Sequence, residues 1–466
     1  MKRLAPYSEY KESGEPFLGR IPAHWRVLRN GRLFSPRNET GFAHLPILEV
    51  SLKTGVRVRD MDDMKRKQVM SDPDKYKRAA KGDIAYNMMR MWQGAVGIAP
   101  VDGLVSPAYV VAKPLPEASS RYFAYLFRTP VYMNEVDAYS RGIVKDRNRL
   151  YWQDFKRMPS VVPPIHEQQQ IVEYLDSVEA RAERFIHNKR RLVELLKEQR
   201  QYVINQAVTR GLDSSVKLKS SGVDWIGGIP AHWEIAPLKK VSDINTRTLP
   251  ASTDEDYAFK YFDISTVGTG RLIKEPQTFY FGSAPSRARR VLQKGDTILS
   301  TVRTYLKAVY YIADEVEDWI ASTGFASLTP RPKIHPKFLG LLIQSNNFIE
   351  RVIRESVGVA YPAIAETVLG SLHVAYPDSI REQEKILRYI DVWSKAIDSA
   401  VAHAQREIEL VKEYYTRLVS DVVTGQVDVR GVDVLNVAEE ELPALTAEAG
   451  ELSGVIADEG TLGEAD

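Results

Sequence analysis

The pentapeptide Ile21-Pro22-Ala23-His24-Trp25 returns 208 residues later as Ile229-Pro230-Ala231-His232-Trp233. In a chain of 466 residues, a repeat of that period restricts the architecture to two copies of one structural unit. The likeness extends to both sides of the anchor. Upstream, Ser13-Gly14 matches Ser221-Gly222 and Phe17-Leu18-Gly19 matches Trp225-Ile226-Gly227. Downstream, Gly82-Asp83 returns as Gly295-Asp296, Arg90 as Arg303, and Ser140-x-Gly142 as Ser356-x-Gly358. The copies close on Glu167-Gln168 and Glu382-Gln383, by which point small insertions have moved the offset to 215.

Within each copy the hydrophobic period changes once. The first part holds short apolar segments bounded by Gly or Pro, which predict strands. These are Leu45 to Leu52, Asp83 to Met88 and Leu104 to Ala112, answered by Tyr261 to Thr266, Asp296 to Val302 and Ala326 to Thr329. The second part lacks Pro and Gly from Ile165 to Arg210 and from Ser379 to Thr424. There the apolar residues fall at alternating steps of four and three, the spacing of a coiled-coil seam. One series is Ile171, Leu175, Val178, Ala182, Phe185, Lys189, Leu192, Leu196, Gln199, Val203. The other is Ile386, Ile390, Trp393, Ile397, Ala400, Ala404, Glu407, Val411, Tyr414, Leu418. Ser379 with Glu382 three residues on predicts a capping box at the second helix start.

The expected fold class is α+β: two tandem mixed α/β domains alternating with two long helices that pack as an antiparallel coiled coil. Its parts are a domain over 1–163, a helix over 164–212, a domain over 213–377, a helix over 378–431 and a tail over 432–466. Each rod spans roughly 60 to 65 Å at about 1.5 Å per residue. An antiparallel pair would carry one compact domain at either end and create a pseudo-two-fold axis, matching the dyad of duplex DNA.

Charge is uneven along the chain. The tail holds ten acidic residues and no Lys or Arg, whereas the body before it carries 63 basic against 51 acidic residues, a net of +12. A basic body is the footprint of a polyanion binder, and the acidic, aromatic-free tail reads as disordered. Zero cysteines exclude disulfides, thiolate zinc sites and cysteine nucleophiles. No metal-ligand spacing is evident among eight histidines. Met1-Lys2-Arg3 runs into Pro6, Tyr7 and Glu9 instead of an apolar stretch, and no run of about 18 apolar residues could span a bilayer. The expected location is the cytoplasm, with no membrane partner.

This order of parts, with the Ile-Pro-x-x-Trp opening of each domain, resembles the specificity subunit of type I restriction–modification systems. The likeness covers residues 9 to about 431. It is carried further by Lys81-Gly82-Asp83 and Lys294-Gly295-Asp296, by Pro-Pro-x-x-Glu-Gln at 163 to 168, and by Ile171 and Tyr174-Leu175-Asp176 answered by Ile386 and Tyr389-Ile390-Asp391. The resemblance implies a non-catalytic subunit whose two target-recognition domains each read half of a split double-stranded DNA target. It also implies that the helices set the spacing and dock two DNA adenine methyltransferase subunits, which restriction (motor-nuclease) subunits then join. No cofactor is expected on this chain; S-adenosylmethionine, ATP and Mg²⁺ are expected on the partners. The acidic tail departs from the pattern.

The chain holds no Asn/Asp-Pro-Pro-Tyr/Phe motif to grip a target adenine, no P-loop and no nuclease metal motif. Val267-Gly268-Thr269-Gly270 lacks a third glycine and a following helix pattern, so it reads as a strand turn. Both His-Trp pairs read as structural anchors. Candidate DNA contacts are cations in loops that differ between the copies, because two readers on one scaffold must differ where they touch bases. In the first copy these are Lys65, Arg66, Lys67, Lys77, Arg78 and Arg90, then Arg141, Lys145 and Arg147. The second copy offers Arg287, Arg289, Arg290 and Arg303, with Tyr361 where the first has its basic loop. Glu167, Gln168, Tyr174, Tyr202, Glu382, Gln383, Tyr389 and Tyr415 are the candidate partner-docking residues. The rival reading is a coiled-coil adaptor that binds proteins without reading DNA.

Overall fold

A computed structural model describes residues 4–52, 54–59, 73–142 and 148–432. The chain forms two compact units, one of Met1–Arg190 with Ala404–Asp466 and the other of Arg191–His403. Both are mixed α and β, as the repeat requires. Each contains a four-stranded antiparallel sheet of the same connectivity. In the first unit its order is Phe34–Pro36, Tyr109–Pro114, Ile84–Asn87, Val96–Ile98. In the second it is Ser242–Ile244, Phe325–Pro330, Thr297–Ser300, Val309–Tyr311. The second unit adds another four-stranded sheet, in which Ala258–Phe262 runs parallel to Trp319–Ser322.

One expected strand is split and another is cut short by a turn. Leu104 to Ala112 is two strands, Gly103–Val105 and Tyr109–Pro114. They are separated at Ser106-Pro107, where Tyr109 N donates to Ser106 O and Pro107 has no amide to give. The strand beginning before Tyr261 stops at Phe262, because the Asp263 side chain accepts from Ser265 N at 2.8 Å and folds a turn.

The long helices are Ile165–Arg210 and Ile380–Val423. In the first unit Lys189 pairs with Glu407 at 2.6 Å, and in the second Arg200 lies 3.5 Å from Asp398. Farther along, Ile171 to Val178 share a core with Leu418 to Val423 in the first unit, and Ile204 to Val208 share one with Ile386 to Ile390 in the second. Within each unit, residue numbers on the two helices therefore run in opposite directions. The seam follows the expected positions to Lys189 and then moves. Val193 is buried where Leu192 was expected, and Ile204 replaces Val203 in the core. An α-helix has 3.6 residues per turn and drifts about 20° per heptad against a strict seven-residue repeat, so its apolar stripe slips by one position. The same slip occurs near the end of the second helix, where Tyr415 rather than Tyr414 turns inward.

The expected capping box is replaced by a tertiary contact. The Glu382 carboxylate accepts from Trp233 Nε1 at 3.0 Å, while Ser379 supplies its backbone oxygen to the amides of Glu382 and Gln383. The tail beyond residue 432 lies outside the described residues. Among the described residues, no helix is long and apolar enough to cross a membrane.

Candidate nucleic-acid interface

In each unit one strand starts beside a buried carboxylate and leads, three residues past its end, to an arginine. Gly82 and Gly295 both sit at φ +91°, a left-handed turn that favours glycine, and swing the next residue inward. Asp83 accepts from Ala80 N at 2.9 Å and from Arg37 Nε at 2.6 Å. Asp296 repeats this with Gln293 N at 2.9 Å, Arg247, and Thr329 Oγ1 at 2.8 Å. A buried carboxylate this well satisfied fixes the start of the strand. The repeated Gly-Asp is therefore an anchor. Arg37 and Arg247, which hold it, went unnoticed in the sequence because neither lies in a repeated tract.

Three residues past the strand, Arg90 and Arg303 each precede a single 3₁₀ turn, Met91–Gln93 and Thr304–Leu306. Arg303 at φ +55° and ψ +48° and Lys307 at φ +53° and ψ +35° are both left-handed, which is costly for side chains with a Cβ. The turn is pinned by Arg303 N donating to Pro362 O at 2.8 Å and by Thr304 Oγ1 against Ser356 Oγ at 2.8 Å. The Arg303 guanidinium lies 4.6 Å from the centre of the Tyr361 ring. These contacts hold the strained backbone in place and fix the direction in which Arg303 leaves the turn. Arg303→Gly, which relieves the strain, is expected to unfold within about 1 kcal/mol of the parent, and Arg303→Ala about 1 kcal/mol less stably. Both are expected to lose DNA affinity equally, which urea unfolding and anisotropy titration would measure; if Arg303→Gly retained full DNA affinity, Arg303 would not be a contact.

Beside each arginine stands a loop closed by a matching backbone bridge, Arg141 with Arg149 in the first unit and Val357 with Ala363 in the second. The scaffold repeats and the chemistry does not. Arg141 is exposed and pairs with Asp154 at 2.5 Å, and Arg149 is exposed. The second loop reads Val-Gly-Val-Ala-Tyr-Pro-Ala.

The remaining expected contacts divide by their partners. Arg287 is exposed, and among the described residues no acid lies within ion-pairing distance of Arg90, Arg287, Arg303 or Lys307. Arg78 is held by Glu39 at 2.9 Å and Asp102 at 2.6 Å, and Lys77 donates to Tyr109 O at 2.8 Å. Arg289 stacks 4.6 Å from the Phe281 ring centre, and Arg290 is partly buried on its strand. Groups already neutralised within the chain make weaker phosphate ligands than the four unpaired cations. Lys65, Arg66, Lys67, Lys145 and Arg147 lie outside the described residues.

Residues 230–410 match the family model for the type I restriction modification DNA specificity domain. Over that stretch the chain is similar to the specificity subunits of type I restriction–modification systems. Among curated members, the MjaVIII specificity subunit of Methanocaldococcus jannaschii is 24% identical over 289 residues, 60% of this chain and 64% of that protein. The HindI specificity subunit of Haemophilus influenzae is 31% identical over 109 residues, covering 23% of this chain and 24% of that one. The matches thus span less than two thirds of either relative. Among solved structures, a chain from work on complex assembly and conformational transition of a type I system superposes with TM-score 0.63 at 17% identity. It covers 87% of this chain and 99% of its own length. The HsdS subunit from Thermoanaerobacter tengcongensis gives TM-score 0.51 at 18% identity, over 88% and 98%. These likenesses establish a shared fold.

The fold turns several of the expected docking residues inward. Gln168 Nε2 donates to Pro163 O and Glu117 O, both at 2.9 Å, and its Oε1 accepts from Ser119 N at 2.9 Å. Gln383 repeats the pattern with Pro377 O at 2.8 Å, Lys333 O at 3.1 Å and His335 N at 2.7 Å. Glu167 is 1% exposed and accepts from Tyr7 Oη at 2.7 Å, Trp25 Nε1 at 3.0 Å and His24 Nε2 at 2.8 Å. Burial, helped by that carboxylate, pushes the Tyr7 hydroxyl well above its ordinary range and keeps it a proton donor. The repeated Glu-Gln thus fastens each domain to its helix, because its polar atoms are consumed inside the chain. Tyr174 is buried and Tyr415 partly so. Tyr202 and Tyr389 remain exposed, lining a groove of about 390 Å³ in the second unit with Arg210 and Leu212.

Proposed function

We propose that this chain is the DNA-reading, non-catalytic subunit of a type I restriction–modification complex, and that each unit reads one half of a bipartite duplex target. One observation carries the reading: the same strand-end turn presents Arg90 or Arg303 in both units, beside loops of different chemistry. A shared scaffold with unlike tips is what two readers of unlike sequences need, since backbone contacts position a protein and groove contacts specify bases. The catalytic work then belongs to two DNA adenine methyltransferase subunits and to motor-nuclease subunits, which would bring S-adenosylmethionine, ATP and Mg²⁺. Such a complex acts on the chromosome, so the subunit works in the cytoplasm. Exposed Tyr202 and Tyr389 are the docking surface retained from the sequence reading.

The test is selection of bound sequences from a random duplex pool by the full-length chain, at physiological salt with competitor DNA. The expected result is two short enriched blocks at constant separation. A pool left without enrichment would sink the proposal and favour a protein-only adaptor. Methyl transfer by the rigorously purified chain with S-adenosylmethionine and Mg²⁺ would overturn the non-catalytic part.

A further inference from the structure

The Val357–Ala363 loop is the most exposed apolar feature of the second unit. Val357 is 82% exposed, Val359 102% and Tyr361 62%. Isolated surface valines are ordinary, but a whole loop tip without a charged residue calls for a partner. This one is also held in shape. Val357 N donates to Ala363 O at 2.9 Å and Ala363 N to Val357 O at 3.0 Å, while Pro362 O receives the Arg303 amide. Gly358 takes φ +121°, and a Cβ there would press to 3.2 Å from Tyr361 O, so the turn requires glycine.

Its surroundings indicate the occupant. Arg303 stacks on Tyr361, and Lys307 closes the same 3₁₀ turn. Arg287 is two hydrogen bonds away: Thr323 N donates to Arg287 O, and Thr301 N to the adjoining Gly324 O. Cations that have no acidic partner among the described residues thus stand beside an uncharged tip, complementing a polyanion whose interior is apolar. In the first unit the corresponding loop is held by Arg141 and Arg149.

We propose that the Val357–Ala363 loop is an apolar wedge that enters a groove of duplex DNA and opens one base step, with Arg303 and Lys307 on the adjoining phosphates. This rests on the second unit being a DNA reader. Inserted apolar side chains partly unstack a step and gain contact area from the bend they cause. Selectivity then arises from the ease of deforming that step, without hydrogen bonds to its bases.

The test uses the full-length chain without methyltransferase, so that no partner can flip a base. The probe is the duplex selected above, with 2-aminopurine or pyrrolocytosine placed in turn at each adenine and cytosine of the half-site assigned to the second unit. The native chain is expected to raise emission severalfold at one step and to leave the others unchanged. The double variant Val357→Ser, Val359→Ser removes no buried contact. It is expected to abolish the rise and bind about 10-fold more weakly, yet match the native chain on a duplex whose step is already opened by a mismatch. Val359→Leu keeps the rise. Silence at every position with the native chain, or native emission and affinity in the double variant, would overturn the wedge while leaving sequence selection intact. A chain that selects no sequence would remove the DNA-reading proposal itself.

Discussion

Replacing residues 1–160 with the matching segment of a relative is expected to change one half of the DNA target and leave the other as it was. The replaced stretch contains the first unit's sheet, the turn at Arg90 and the loop closed by Arg141 and Arg149, and nothing of the second unit. The structure adds a condition on the graft. Tyr122 Oη donates to Val423 O at 2.9 Å, and Asp428 N donates to Ala5 O at 2.9 Å. Gly425, at φ +80°, packs so closely on Pro22 and Trp25 that a side chain there would collide with both. Donor segments that keep Trp at 25 and Tyr at 122 should therefore yield folded hybrids. Methylome sequencing of cells carrying the hybrid and its methyltransferase partner reads the outcome. Alteration of both half-sites in a folded hybrid would refute independent readers.

Glu167→Ala is expected to destabilise its unit by about 3–5 kcal/mol, and Glu382→Ala its own by only about 1–2 kcal/mol. The residues are repeat equivalents with different surroundings. Glu167 is fully buried under three donors, two of which, Trp25 Nε1 and Tyr7 Oη, would be left without an acceptor. Each buried orphan costs about 1–3 kcal/mol. The Glu382 side chain is 31% exposed, and water can replace it for Trp233 and His232. Urea unfolding of the full chain, followed by tryptophan emission, separates the two. If both variants unfolded like the parent while binding of a methyltransferase subunit was lost, the pair would be a docking site after all.

The repeat made the architecture legible, because tandem copies must share sheet order and anchor residues. The helices were legible from the absence of Gly and Pro and from an apolar period near 3.5. What escaped was three-dimensional compensation. Arg78 reads in sequence as one more cation in a basic loop. Only the fold brings Glu39 and Asp102, distant in the chain, against it. Glu167 reads as a helix-surface carboxylate, since nothing local announces that Trp25 will arrive from 142 residues away. The apolar tip at Val357 and Val359 was visible as a composition difference, but its exposure depends on the backbone bridge that holds it out. Leu192 and Val193 show a subtler failure, in which both neighbours are apolar and only the true helical pitch selects the buried one.

The division of the chain has a consequence for its synthesis. The second unit is one continuous stretch, Arg191–His403, whereas the first needs both ends of the polypeptide. Domains made on the ribosome generally fold in the order in which they emerge, at about 5–20 residues per second. Here that order is reversed, because Leu418, Val422 and Val429 belong to the core that covers Trp25 and Tyr122. Roughly 210 residues, Arg191–His403, separate Arg190 from the returning segment, so the first unit waits roughly 10 to 40 s with part of its core uncovered. A chain cut near residue 400 would carry a finished second unit and an unfinished first one, with Trp25 and Tyr122 open to chaperones and proteases.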